Sequence, residues 1–150
     1  MKPASDIQSR ITLEDDVINF ISTVYSDWTM RVGDLRLLGE YTNQDGPHAD
    51  DYFLCFATDS SGWNEASFYS EGRDEFLASL GTILGEDLSL ELGHSTDFSS
   101  RILWPEARRG EPMFAFTDVP PKSIIGRVFG SLRNRQTFTD QALSVLQSKA

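Results

Sequence analysis

The sequence has few of the residues that build metal centres and nucleophilic active sites. Its single cysteine, Cys55, allows neither an internal disulfide nor a zinc site of the Cys-x-x-Cys kind. The chain contains no Gly-x-Gly-x-x-Gly, Walker, Gly-x-Ser-x-Gly or His-Glu-x-x-His motif. These absences remove the motif-based arguments for dinucleotide binding, phosphate binding, serine hydrolysis and zinc proteolysis. We therefore expect a protein that uses no cofactor and is not an enzyme.

Long apolar runs and an excess of basic charge are also missing. No stretch reaches the roughly 20 apolar residues that a membrane-spanning helix needs. The opening MKPASDIQSR has no apolar stretch of the kind found in a signal peptide, so we expect a cytoplasmic protein. The formal net charge of −10 argues against binding nucleic acid through its phosphates, because that mode requires clustered Lys and Arg.

The charge is unevenly distributed along the chain. Residues 1–100 contain 19 acidic and 5 basic residues, a net charge of −14, whereas residues 101–150 contain 4 and 8, a net charge of +4. The two parts can simply be neighbours within one fold. Alternatively, they form two faces of opposite sign, one of which orients a partner.

Length and composition indicate one domain with a hydrophobic core. The chain has 150 residues, of which 39% are hydrophobic and 24% charged. We expect a single α+β domain over residues 1–150, with residues 1–12 as a flexible N-terminal arm. Most predicted strands follow one another without a helical crossover, which favours an antiparallel sheet of about five to six strands with the helices packed on one face.

Three neighbouring segments have the clearest periodicity. The run Tyr52–Thr58 is apolar on both faces and, with a turn at 59–62 and an alternating second arm, predicts a hairpin. Residues 73–85 place apolar side chains in one helical stripe, and Gly85 is suited to end that helix. Residues 88–92 alternate leucine with polar residues and predict a strand.

The remaining segments complete a predicted order of α-β-β-β-α-β-β-β-α-α. Apolar residues at helical spacing predict a first helix over 14–26. Residues 99–117 predict a hairpin with a charged turn, and residues 123–135 predict a helix with arginines on its polar side. A last helix is expected to follow Thr139. In element order and acidity the chain resembles the small acidic chaperones of bacterial secretion systems, and this resemblance implies binding of a polypeptide.

An aromatic and basic cluster is the leading candidate for a binding surface. Tryptophan and arginine are enriched at the energetic centres of protein interfaces. The candidate residues are Arg101, Trp104, Arg108, Arg109 and Phe114. Under the alternative interpretation Trp104 is half-buried and the arginines only solvate the tip of a hairpin.

Two acidic loops contain the chain's histidines and are weak candidates for a metal site. Imidazole and carboxylate groups from two loops can converge on one divalent ion. The candidate ligands are His48, Asp50, Asp51, His94 and Asp97. Acidic loops are more often simply solvated. Cys55 would be a nucleophile only if a histidine approached it, and its apolar strand favours a role in packing.

The sequence thus favours a non-catalytic domain that binds another protein, acting as an adaptor, a chaperone-like protein or an inhibitor or immunity protein. A homodimer formed through a sheet edge or the C-terminal helices fits the same features. Two alternatives remain open. One is a small metal- or ligand-dependent enzyme, or a ligand-binding domain, that uses the histidine loops. The other is an acidic protein that imitates nucleic acid.

Overall fold

The computed structural model describes residues 9–42, 52–90, 92, 99–117 and 135–147, which form nine strands and two α-helices. The strands are β1 (Ser9–Glu14), β2 (Val17–Ser22), β3 (Trp28–Arg31), β4 (Leu37–Thr42), β5 (Tyr52–Asp59), β6 (Gly62–Ser67), β7 (Ser99–Trp104), β8 (Phe114–Thr117) and β9 (Arg135–Phe138). The helices are α1 (Arg73–Leu84) and α2 (Asp140–Gln147). None of these described helices has the length and apolar character needed to cross a membrane.

The strands form three antiparallel sheets. Their orders are β1-β2-β3, β6-β5-β4-β7 and β8-β9. The prediction of a mixed fold with antiparallel pairing is therefore confirmed. The prediction of one sheet of about five to six strands is wrong, because the nine described strands divide among three sheets.

The four-stranded sheet is covered on both faces. Side chains of β5 alternate between them: Leu54 and Phe56 pack in one cluster with Phe76 and Leu80 of α1, and the three-stranded sheet contributes to the same cluster. We call this side the α1 face. Phe53 and Cys55 point the opposite way and pack with Ala142 and Leu146 of α2, together with residues of β8. We call this side the α2 face.

The prediction that the helices share one face is consequently wrong. β5 is buried from Tyr52 to Ala57, so apolar side chains point out of both faces of the sheet. A single helical layer covers one face and leaves the other in water. Placing α1 and α2 on opposite sides removes both apolar surfaces from solvent.

The predicted first helix is a β-hairpin. Glu14 pairs with Val17, and the two residues between them, Asp15 and Asp16, have positive φ values of 49° and 65°. A two-residue turn of this kind matches the twist of paired strands, and Asp tolerates the left-handed region better than most residues. The same pairing places residues 9–12 in β1, so the predicted flexible arm does not extend over them.

The hairpin and helix that follow are confirmed. β5 and β6 pair across the turn at 59–62, and α1 ends at Leu84 with Gly85 in the left-handed conformation at φ 74°. The apolar stripe of α1 faces the core, where Phe76 and Leu80 are buried. Helix α2 begins after Thr139, as predicted, and the Thr139 hydroxyl accepts a hydrogen bond from the amide of Ala142.

Two later predictions are corrected. Residues 87–90 belong to no strand, although the alternating leucines predict one. Residues 99–117 do not form a simple hairpin, because β7 pairs with β4 and β8 pairs with β9. The predicted helix at 123–135 lies outside the described residues, except that Arg135 begins β9. The described chain opens with strands rather than a helix, so the resemblance in element order to secretion chaperones does not hold.

Candidate functional site

The five residues predicted as an interaction surface do not come together on the surface. Arg101 is buried on the α1 face, whereas Phe114 is buried on the α2 face. Trp104 is half-buried and packs against the α1-face cluster. The physical reason is that β7, although an edge strand, belongs to a sheet whose two faces are both covered, so its alternate side chains enter opposite cores. Phe114 lies on β8, which packs on the α2 face.

The arginines of the 105–110 turn are also not a free tip. Arg108 is partly buried, lies 3.5 Å from the Glu111 carboxylate and donates to the Ser144 hydroxyl of α2 at 3.2 Å. Arg109 is partly buried and lies close enough to Glu86 to act on its carboxylate. These contacts tie the turn to both α2 and the segment that follows α1.

The predicted metal ligands His48, Asp50, Asp51, His94 and Asp97 lie outside the described residues. Within the described part of the chain, no three His, Cys, Asp or Glu residues form a group suited to a metal ion. Cys55 is fully buried, and desolvation followed by the charge of Glu65 raises the pKa of its thiol. A buried, protonated thiol is a poor nucleophile, which supports the packing role.

A buried polar network lies on the α1 face. Glu40 of β4 is directly opposite Arg101 of β7, and its Oε2 is 3.0 Å from the guanidinium Nη1. Tyr52 of β5 donates its hydroxyl to Oε1 of the same carboxylate. Glu40 is 0% exposed, so hydrogen bonds from these partners replace the water that its carboxylate would contact on the surface. Burial, followed by hydrogen bonding to Glu40, raises the pKa of Tyr52, which keeps its hydroxyl protonated as a donor.

This network holds Ser89 and Leu92 against the sheet. Arg101 donates to the carbonyl of Ser89 at 3.2 Å. The amide of Leu92 lies 3.2 Å from both Glu40 Oε1 and the Tyr52 hydroxyl. Side chains therefore satisfy two backbone groups of this segment, the Ser89 carbonyl and the Leu92 amide, that a neighbouring strand could otherwise satisfy.

A sequence signal for this network exists. Glu40 and Arg101 each stand inside an otherwise apolar run, LLGEYT and SRILW. An ionised side chain within an apolar strand is rarely buried without a partner of opposite charge. The sequence does not specify that β4 and β7 are neighbours, and the pairing is visible only once they are placed side by side.

The segment 86–90 and helix α1 enclose a groove of about 790 Å³. Leu77 and Ala78 of α1 line one wall, and Leu88 and Leu90 line the other. The two walls approach closely at Gly81, where an added Cβ would lie 2.6 Å from the carbonyl oxygen of Glu86. Glycine at this position therefore allows the segment to pass beside the helix.

One end of the groove is a stack of aromatic and cationic groups. The rings of Tyr52 and Phe68 are parallel at 4.1 Å, and the guanidinium of Arg73 lies 3.8 Å from the Phe68 ring centroid. Arg73 also donates to the Asp74 carboxylate and to the Phe68 carbonyl. These contacts preorganise this end of the groove.

The opposite end of the groove is acidic. Glu86 and Asp87 line it, and one oxygen of Glu86 is buried without a hydrogen-bond partner among the described residues. Desolvation, followed by the nearby Glu106, raises the pKa of Glu86. The described lining carries one basic and three acidic residues, a net charge of −2, and contains neither histidine nor cysteine.

Comparison with known proteins assigns neither a family nor a function to the chain. No protein-family model, no curated protein and no solved structure matches the chain.

Proposed function

We propose that the protein is a non-catalytic protein-binding domain whose groove beside α1 binds a linear segment of a partner protein. The observation that carries this proposal is the leucine wall of the groove, formed by Leu88 and Leu90 and followed by Leu92. Its backbone is held by Arg101, Tyr52 and Glu40 rather than by strand pairing. Such a wall offers an incoming chain the partly exposed side chain of Leu90 on a fixed backbone.

The dimensions and surface of the groove support a segment of several residues. A volume of about 790 Å³ lies within the range of specific binding clefts. Leu90 is partly exposed in the lining, and Leu77 and Leu88, which are 8% and 6% exposed, add a little apolar area. Burial of apolar area is the main favourable term in association. The buried network beneath the wall reduces the rearrangement that binding requires.

The charge of the groove favours a basic partner segment. Asp74 neutralises Arg73 at 2.8 Å, which leaves Glu86 and Asp87 as acidic groups that no other basic residue of the described lining pairs, although Arg109 lies near Glu86 from outside it. The net charge of the whole chain, −10, has the same sign and would increase the rate of encounter with a cationic chain. The partner segment therefore combines apolar side chains with Lys or Arg.

Two matched arginine substitutions on α1 test this proposal. Ala78 is exposed and lines the groove, whereas its neighbour Ser79 is exposed and is not part of the lining. A random linear peptide library is selected on the wild type, and the enriched peptides are measured by fluorescence polarisation against both variants. We expect peptides rich in apolar and basic residues, with affinity reduced about tenfold or more by Ala78→Arg through bulk and like charge.

The Ser79→Arg variant is the control, because it adds the same charge to the same helix and should leave the affinity nearly unchanged. Equal affinity of the selected peptides for the wild type and Ala78→Arg would contradict binding in the groove. Enrichment of acidic peptides would contradict the proposed charge of the partner.

A further inference from the structure

A second cavity, of about 440 Å³, lies beside β6, and four of its eight described lining residues are aromatic. Tyr25 comes from the loop before β3, Trp28 from β3, Phe53 from β5 and Trp63 from β6. Glu65 lies in the same lining. Four aromatic residues from four elements thus surround a space that also contains a carboxylate.

Glu65 fixes the two tryptophans of this cavity. Its Oε2 accepts the indole N–H of Trp63 at 2.8 Å and the hydroxyl of Tyr41 at 3.0 Å. The backbone carbonyl of Glu65 accepts the indole N–H of Trp28 at 2.9 Å. Because the N–H of each indole is bound to the same residue, both rings are positioned before any ligand arrives.

Contacts between aromatic rings also hold the cavity rings in place. Trp28 packs against Phe56 with ring centroids 5.0 Å apart, and Tyr25 meets Phe53 edge to face at 5.8 Å and 85°. Such contacts hold aromatic rings in fixed orientations. A rigid aromatic lining loses little conformational entropy when a ligand binds.

The electrostatics of the cavity favour a cation. Among the described lining residues, Glu65 is the one charged side chain, and its hydrogen-bond donors, Trp63 and Tyr41, are neutral. The negative faces of aromatic rings add to the attraction for positive charge. A primary ammonium is strongly hydrated, and the faces of the aromatic rings in the lining cannot replace the hydrogen bonds of its water. A methylated ammonium carries the same charge with a weaker hydration shell.

We propose that this cavity binds a trimethylammonium group, either of a small molecule such as choline or of a trimethylated lysine side chain. The site is separate from the groove beside α1 and does not depend on the function proposed for that groove. Its recognition elements are the four rings and the carboxylate of Glu65.

Tryptophan fluorescence in a Trp104→Phe background tests the ligand chemistry, since Trp28 and Trp63 line the cavity and Trp104 does not. The probes are tetramethylammonium, choline, acetylated trimethyllysine amide and 3,3-dimethylbutanol, which is the neutral isostere of choline. We expect the cations to bind about tenfold or more tightly than the neutral isostere. Equal response to choline and its isostere, or no response to any cation, would overturn the proposal.

The two cation sources are distinguished by their relative affinities. Tighter binding of choline indicates a free small molecule, and tighter binding of the trimethyllysine amide indicates a protein-borne side chain. Either order supports the shared trimethylammonium chemistry.

Three variants tie the response to the cavity. Glu65→Gln keeps the shape of the side chain and removes its charge, and Tyr25→Leu removes one ring; each should weaken cation binding about tenfold. Glu14→Gln removes an exposed carboxylate outside the lining and should leave affinity unchanged. Thermal unfolding verifies that each variant folds, and Tyr25→Leu carries the test if Glu65→Gln does not. Unchanged affinity in both cavity variants would overturn the proposal, and an effect of Ala78→Arg would show that the cations occupy the groove instead.

Discussion

The two faces of the central sheet are built from different kinds of contact. On the α1 face, the ion pair of Glu40 with Arg101 is buried among apolar side chains. The α2 face is packed by apolar and aromatic residues, with the Cys55 thiol fully buried among them. One sheet therefore carries a buried ion pair on one side and, on the other, an apolar and aromatic cluster in which Tyr41 and Trp63 donate hydrogen bonds to the Glu65 carboxylate.

The difference shows that the buried ion pair on the α1 face positions a neighbouring segment of the chain. A buried ion pair contributes little net stability compared with apolar side chains of similar volume. Here the pair and Tyr52 hold the wall of the groove through Ser89 and Leu92. The α2 face holds its cover by apolar packing together with the hydrogen bond from Arg108 to Ser144 of α2.

The largest expected effect follows from breaking the ion pair. Arg101→Met leaves the carboxylate of Glu40 buried without its cation and should lower the free energy of unfolding by about 3–5 kcal/mol. Urea denaturation measures this loss. The double variant Glu40→Gln with Arg101→Met should lose less than the single variant, because no ionised group remains buried alone. A double variant that is less stable than the single would contradict a role for unpaired charge.

Placing a polar group on the α2 face should have the next largest effect. Cys55→Ser puts a hydroxyl among apolar side chains and should cost about 1–3 kcal/mol in chemical denaturation. In the folded wild type the thiol should react slowly with maleimides, because burial and Glu65 raise its pKa. An exposed Ser79→Cys thiol supplies the comparison. Rapid native labelling of Cys55 would contradict the closed α2 face.

Weakening the start of α2 should have a smaller effect on the same face. The Thr139 hydroxyl accepts from the Ala142 amide at 3.2 Å and donates to the Pro112 carbonyl at 2.7 Å. Thr139→Ala should therefore reduce stability by about 1 kcal/mol, as measured by thermal unfolding. Thr139→Ser keeps the hydroxyl and should recover most of this loss. Equal losses in both variants would assign the effect to the methyl group instead.

The smallest effect concerns the rim of the groove on the α1 face. Desolvation and Glu106 raise the pKa of Glu86, so ionising Glu86 is less favourable in the folded state than in the unfolded state. Glu86→Gln should match the wild type in stability at acidic pH, where both side chains are neutral. As the pH rises through the unfolded-state pKa, the variant should become slightly the more stable. Melting temperatures measured across this pH range test the sign, and a less stable variant at neutral pH would contradict it.

Local patterns were sufficient to predict the elements whose periodicity has one interpretation. The stripe of α1, with Gly85 at its end, and the β5–β6 hairpin are confirmed because each pattern fits one structure. The run after Glu14 fits both a helical and an extended period, and the left-handed turn at Asp15 and Asp16 favours the extended form. The leucines at 88–90 alternate as in a strand, but the described structure gives them no strand partner.

The candidate site could not be predicted, because its residues are distant in sequence. Arg101 is 61 positions from Glu40, and the two meet only because β7 pairs with β4. Tryptophan and arginine in one short segment suggested a surface, yet the sheet buries Arg101 and half-buries Trp104. The aromatic cavity likewise combines residues of β3 and the loop before it with residues of β5 and β6.

Taken alone, the sequence determined the acidic charge, the mixed composition and the elements whose side chains repeat with one clear period. These properties depend on residue type and on neighbours within a few positions. The tertiary structure decided which strands are adjacent, which faces are covered and which charges are paired. Those outcomes depend on long-range contacts, since burial of both faces of β5 and neutralisation of Glu40 require residues far along the chain.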